Sequence, residues 1–239
     1  PYAGTYTLQV TASGCTSTVY ALVVTGSSQP GVWTGASSTS WNTAGNWCNN
    51  TVPTSTVDVY IPNVANLPAI NAGATSVSCK SITINSGATL TLANTYTLSV
   101  YGNFTNNGTF TANSGSKVNF TASSIAQSIT GTSATTFFDL EINNTSATGV
   151  TLSQSAIVNN ILTLTDGIVF TDAINILTLM DNATVSPATG GVAGSYVDGP
   201  VKKTGNDAFV FPLGDFTDSR WAPLGISAPT TATTECTGE

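Results

Sequence analysis

Ile82-Thr83-Ile84, Leu90-Thr91-Leu92, Leu98-Ser99-Val100, Val118-Asn119-Phe120, Leu140-Glu141-Ile142, Ile161-Leu162-Thr163-Leu164 and Ile176-Leu177-Thr178-Leu179 recur between about Val77 and Thr184. Alternation of this kind sends Ile and Leu to one face of a strand and Thr or Ser to the other. No segment has the length or spacing of a helix. Asn, Gly and Ser separate the segments, with Asn pairs at Asn106-Asn107, Asn143-Asn144 and Asn159-Asn160. A spacing of roughly 20 residues per unit is that of a β-solenoid coil. Asn suits its corners, because it tolerates left-handed φ and its amide can bond a neighbouring coil. The predicted fold is all-β, a right-handed parallel β-helix (β-solenoid) with capping elements. The alternative is an antiparallel β-sandwich array, which also shows short strands and frequent turns. Imperfect repeats and one-sided alternation favour the solenoid.

Composition limits the function classes. The chain has 239 residues, 41% of them hydrophobic and only 7% charged. An ordinary soluble domain is about one quarter charged, so solubility here rests on hydroxyls and amides. Thr is about one residue in six, which favours strands over helices. The net charge is −7, and the basic residues are Lys80, Lys117, Lys202, Lys203 and Arg220. Five cations cannot form the basic face that nucleic acid requires. No apolar run approaches the ~18–20 residues of a membrane-spanning helix, so no membrane insertion is expected.

Histidine is absent, and the four cysteines, Cys15, Cys48, Cys79 and Cys236, lack metal-site spacing. A Cys48–Cys79 disulfide is expected at the entrance to the repetitive region, worth roughly 3–4 kcal/mol in the chain-entropy model. Cys15 and Cys236 would pair elsewhere in a longer chain. Buried free thiols are the competing reading. An oxidising, extracellular setting follows from the disulfide reading.

The chain divides into four. Residues 1–28 read as the C-terminal strands of an immunoglobulin-like module, and Thr25-Gly26-Ser27-Ser28-Gln29-Pro30-Gly31 across that boundary as a linker. Residues 29–76 hold Trp33, Trp41 and Trp47 and read as an N-terminal cap. Residues 77–189 are the solenoid. Residues 190–239 gather Phe209, Phe211, Phe216 and Trp221 with several charges, and read as a C-terminal cap and the start of a next segment. Trp33, Trp41 and Trp47 could be a carbohydrate platform, since flat rings stack on sugars. They could equally cover the raw end of a core, which a solenoid needs; their place just before the repeats favours the cap.

Three blocks carry a family resemblance. Gly4-Thr5-Tyr6-Thr7-Leu8 with Thr11-Ala12-Ser13-Gly14-Cys15-Thr16 is similar to the final hairpin of repeat modules in Bacteroidota surface adhesins. Trp33-Thr34-Gly35, Trp41-Asn42-Thr43-Ala44-Gly45-Asn46-Trp47 and Val52-Pro53-Thr54-Ser55-Thr56, followed by Ser81-Ile82-Thr83-Ile84-Asn85-Ser86-Gly87, resemble a segment of large secreted Bacteroidota proteins. Gly194-Ser195-Tyr196-Val197-Asp198-Gly199-Pro200 with Phe209-Val210-Phe211-Pro212-Leu213-Gly214-Asp215 resembles the block that follows it. The resemblance implies export by the type IX secretion system through a sorting domain that this sequence lacks. It also implies display at the cell surface or release, and other domains of the same long chain as partners. The opening Pro1-Tyr2-Ala3-Gly4-Thr5 reads as the interior of such a chain.

Catalytic chemistry finds little support. Nucleophile–histidine pairs are impossible, and a Ser–Lys pair needs a buried lysine; the basic residues here read as turn or solvated cap positions. Asp166, Asp172 and Asp181 could stack at one corner of successive coils, as paired carboxylates or, with an Arg, as a lyase-like site. The lone Arg220 falls outside the coils. Calcium is the one cofactor the oxygen-rich Asp166-Gly167 and Asp181-Asn182 corners could hold, against the plainer reading of Asp as a turn former. Outward Thr83, Thr91, Thr163 and Thr178 could form an ice- or polysaccharide-binding face. The sequence therefore predicts no enzyme, but a structural stalk or adhesin segment. The alternatives are a carbohydrate-binding module and, more remotely, an inactive lyase-like β-helix.

Overall fold

The structure is a computed structural model that describes residues 29–239 throughout, and four short strands within the first 28. Of those, Gly4–Leu8 pairs antiparallel with Tyr20–Val24, and Thr11–Ala12 with Cys15–Thr16. The immunoglobulin-like reading of residues 1–28 otherwise lies outside the described residues, as does the Cys15 side chain.

From residue 59 onward the chain winds into a β-solenoid of about seven turns. Each full turn supplies one short strand to each of three faces. Face A holds Ser76–Cys79, Thr97–Val100 and Lys117–Ala122, the later halves of Thr135–Asn144 and Ala156–Asp166, and Thr184–Ser186. Face B runs from Val59–Ile61 through Ile82–Ile84, Phe104–Asn106, Gln127–Gly131, Val150–Leu152, Val169–Phe170 and Val197–Asp198 to Leu213–Asp215. Face C begins with Ala69–Ile70, Thr89–Leu92 and Thr109–Ala112. It continues with the earlier halves of the two long strands, Leu177–Leu179 and Val201–Thr204. Pairing along all three faces is parallel until the last turn, which sets aside the antiparallel sandwich.

Register explains why this sequence chooses the fold. Val77, Leu98, Val118, Leu140, Leu162 and Val185 sit in one buried column on face A, each step advancing 20–23 residues. Val59, Ile82, Phe104, Ile129 and Leu152 make the matching column on face B. A one-residue slip would turn each column to water. Each buried Ile, Leu or Val contributes about 1.5–3 kcal/mol. At mid-stack, Phe104, Phe110, Phe120 and Phe137 fill the interior with mostly edge-on contacts, ring centres 5.2–6.3 Å apart.

Two corners repeat one device, a buried asparagine under a glycine of the next coil. Asn144 donates from Nδ2 to the Gly149 carbonyl (3.1 Å) and to Gln127 Oε1 (3.0 Å), while its Oδ1 accepts the Ser146 N–H. Gln127 in turn donates to the carbonyls of Val100 and Gly102. A Cβ on Gly167 (φ +93°) would lie 2.0 Å from the Asn144 carbonyl oxygen, and one on Gly131 (φ +132°) 2.0 Å from that of Asn106. The coils approach closely only because no side chain is there. Asn159-Asn160 marks a different irregularity, the bulge where Ala156–Asp166 turns from face C to face A.

Both ends are closed, by unlike means. At the N-terminal end, Val32 bridges Tyr60 on face B and Ser40 bridges Ala69 on face C, both in parallel sense. The Trp-rich segment is thus a shortened extra coil, and parallel stacking extends beyond 77–189 on both sides. At the C-terminal end the ladder turns antiparallel. Glu235–Gly238 covers Val201–Thr204, and Arg220–Trp221 folds back on Leu213–Asp215.

The Cys48–Cys79 disulfide is corrected by the structure. Cys79 points into the core beside Val100's column and Cys48 lies half-buried in a 3-10 turn after Trp47; both are free thiols. Parity along Ser76–Cys79 puts Val77 and Cys79 inward together, so the sulfur is a core filler. Burial pushes its thiol pKa up, and Asp58 adds to the shift. Cys236 is also free.

Candidate functional site

The three tryptophans do not form a platform. Trp33 and Trp41 are 0% exposed and Trp47 is 2% exposed. Trp47 stands edge-on between the other two, with centroids 4.9 Å from Trp33 and 4.7 Å from Trp41. Its indole N–H donates to the Trp41 carbonyl at 2.7 Å, and that of Trp33 to the Asn66 carbonyl at 2.7 Å. No ring face is free for a sugar, so the carbohydrate reading of these residues is corrected: they plug the end of the core. Asn46, fully buried beside them, ties the loop by accepting the Ser37 and Ser38 N–H groups.

The three aspartates are likewise separated. Asp166 ends a face A strand, Asp172 follows face B, and Asp181 follows face C, so they occupy three different corners of one coil. Asp172 caps its own turn: its carboxylate accepts the N–H groups of Ile174 (2.8 Å) and Asn175 (2.7 Å). Hydrogen bonding from Asn175, then Ile174, holds its pKa below the usual carboxylate value. Asp181 accepts from Asn182 Nδ2 at 3.0 Å. Among the described residues, no three Asp, Glu or Cys side chains converge as metal ligands would.

The outward threonines fall on different faces too, Thr83 on B, Thr163 on A, Thr91 and Thr178 on C. Face B carries the longest threonine run in register, Thr83, Thr105 and Thr130. On face A the polar rows are broken by Lys117, whose ammonium lies 3.0 Å from Glu141. Face A is therefore not a uniform hydroxyl array.

Lys203 is the residue that sequence reasoning misplaced. It is 2% exposed, not solvated, and its Nζ donates to the carbonyls of Met180 (2.7 Å) and Ala183 (3.1 Å). Asp207 lies 3.4 Å away and the Phe209 ring centre 5.4 Å away. Parity held the signal, because Val201 and Lys203 share the inward side and Lys203 stacks on Leu179. Its ammonium closes the core by satisfying the Ala183 carbonyl and adding a second donor to that of Met180, which also accepts the Ala183 N–H.

A concave site opens on the surface of the described residues. The corner between faces A and B carries a cleft of about 230 Å³, walled by Thr145–Ala147, Asp166–Ile168, Gly194, Tyr196, Phe216 and Ser219. Tyr196 forms its buried base and donates its hydroxyl to the Asp215 carbonyl at 3.1 Å. Burial raises its pKa, with Asp198 and Asp215 adding to the shift. Phe216 is 43% exposed and is braced edge-on by Phe170 at 5.2 Å. Nothing in the sequence singled out these residues together, because four successive turns of the stack supply them.

A family model described as a domain of unknown function (DUF8693) matches residues 32–139, from the Trp plug to the middle of the stack. Neither the curated proteins nor the solved structures include a match to the chain. No helix of the described residues is long and apolar enough to cross a membrane.

Proposed function

We propose that the chain is a non-catalytic structural segment, a stiff spacer of a large secreted, adhesin-like protein at the cell surface. The observation that carries this reading is the closure of one continuous stack at both ends, by a Trp plug and an antiparallel cap. A stack closed in this way exposes no raw core to neighbouring modules and holds them at a fixed distance. About seven turns at roughly 4.8 Å per coil give a block of about 34 Å. The resemblance of its sequence blocks to Bacteroidota proteins exported by the type IX system supports the setting. In that reading its partners are the other domains of the same chain.

Single-molecule pulling on the chain, tethered at its two ends, tests the spacer role. The expected trace keeps its folded length up to distinct rupture events. Smooth lengthening at low force would remove the basis for a spacer, and cleavage of any polysaccharide by the purified chain would contradict the non-catalytic part.

A further inference from the structure

The cleft between faces A and B has a composition that the spacer role does not use. Its polar wall is Asp166, whose carboxylate takes no hydrogen bond or ion pair from any described residue. Its apolar wall is Phe216, half exposed yet held in place by Phe170 behind it. Ser219 stands on the rim in the left-handed region (φ +50°), an uncommon conformation for a residue with a side chain. The turn that imposes it, Ser219 N–H to the Phe216 carbonyl at 3.2 Å, also sets the ring's position. Gly194 (φ +87°) faces open space: a Cβ there would meet nothing within 4 Å.

The walls are preorganised. The loop that carries Thr145, Ser146 and Ala147 is fastened beneath by the buried Asn144 amide. The cap hairpin that carries Phe216 sits flush on Tyr196, because Gly214 has no side chain: a Cβ there would lie 2.4 Å from the Tyr196 ring. The site therefore has one ring face, one unpaired carboxylate and rim hydroxyls from Ser146 and Ser219, all on fixed backbone.

We propose that this cleft binds one pyranose ring of a neutral oligo- or polysaccharide. The sugar's apolar C–H face lies on Phe216 and its adjacent hydroxyls donate to the Asp166 carboxylate. Charge selects neutral sugars. The chain carries −7 overall, and Asp166, Asp198, Asp215 and Asp218 outnumber the one nearby cation, Arg220, so uronates and phosphates are disfavoured. A strand-like peptide finds little edge here, since Val169–Phe170, Val197–Asp198 and Leu213–Asp215 are paired on both sides and the free edge beside the cleft is the two-residue Arg220–Trp221. Carbohydrate recognition thus moves from the N-terminal tryptophans, which are buried, to the opposite end of the stack.

Amide chemical-shift titration of the whole chain tests the assignment, with cellohexaose, xylohexaose and mannohexaose as neutral probes and polygalacturonate and oligolysine as charged ones. At least one neutral hexasaccharide is expected to shift the amides of Asp166, Phe216 and Ser219. Phe216→Ala and Phe216→Leu should each weaken that binding by roughly tenfold or more, as for an aromatic anchor, and Phe216→Trp should preserve it. Asp166→Asn should weaken it several-fold. All four substitutions are at exposed positions and leave the core intact. The proposal is overturned if no neutral probe shifts these amides. It is equally overturned if binding survives Phe216→Ala, if Phe216→Leu binds as well as wild type, or if polygalacturonate or oligolysine binds in preference. Failure here leaves the spacer reading standing, because that reading answers to the mechanical test.

Discussion

The two ends of the stack solve the same problem with opposite chemistry. At the N-terminal end the last apolar cross-section meets three interlocked indoles, and the covering segment follows the coil path in parallel. At the C-terminal end the core meets a buried ammonium bonded to two carbonyls, and the covering strand runs antiparallel. A parallel cover leaves another parallel edge, so it must be bulky enough to exclude water alone. The antiparallel cover changes the direction of the ladder, and the Ala183 carbonyl in the turn beneath it takes its donor from Lys203. The plug is an apolar volume, and the lysine is a polar tie.

That difference predicts unequal losses. Trp41→Ala removes a fully buried indole from the plug and should destabilise the chain by about 3–5 kcal/mol, read from denaturant midpoints. Lys203→Ala should cost less, about 1–3 kcal/mol, since it strands the Ala183 carbonyl while that of Met180 keeps the Ala183 N–H. Lys203→Met, which keeps the bulk, should not recover the carbonyl part. If Lys203→Met were as stable as wild type, the polar-tie account would fail.

Between the ends, Gly167→Ala should cost more than the ~1 kcal/mol typical of a point substitution. A Cβ there meets the Asn144 carbonyl oxygen, which is backbone and cannot yield. Gly194→Ala shares the strained φ but meets nothing, so it should be the milder of the two. Equal losses in thermal melts would show that conformation, not close approach, sets the corner.

The smallest effect concerns Asp172. Its folded pKa lies below the ordinary value of 3.8, so whatever it contributes is present above that value. The contribution is lost as pH falls through the lowered folded pKa. The group is exposed, so the expected readout is local: the Ile174 and Asn175 amides should shift with an apparent pKa below 3.8 while the denaturation midpoint hardly moves. An apparent pKa above 3.8 would contradict the turn geometry.

How much of this was readable from sequence depends on whether the signal lay within one strand or across coils. The columns of Ile, Leu and Val were legible, because alternation is local and the coil length of 20–23 residues on face A keeps it in step. The Trp block was legible as a cap from its position. Cys79 and Lys203 were misread although their parity was visible: residue type was allowed to outweigh the inward side of Ser76–Cys79 and Val201–Thr204. The cleft was not legible at all. Asp166 and Phe216 are far apart in sequence, and the irregular passage from Thr184–Ser186 to Val197–Asp198 hides which coils they share. For the same reason Asp166, Asp172 and Asp181 looked like a stacked trio when they occupy three corners.

The most direct test of the central claim, one stack held closed at its ends, is residue-resolved hydrogen exchange on wild type and Trp41→Ala. The account predicts that protection is lost first in the coils spanning Val59–Leu92 and fades to little change at Leu162–Leu164 near the lysine-tied end. Uniform loss along the stack, or loss beginning at Val197–Asp215, would contradict it.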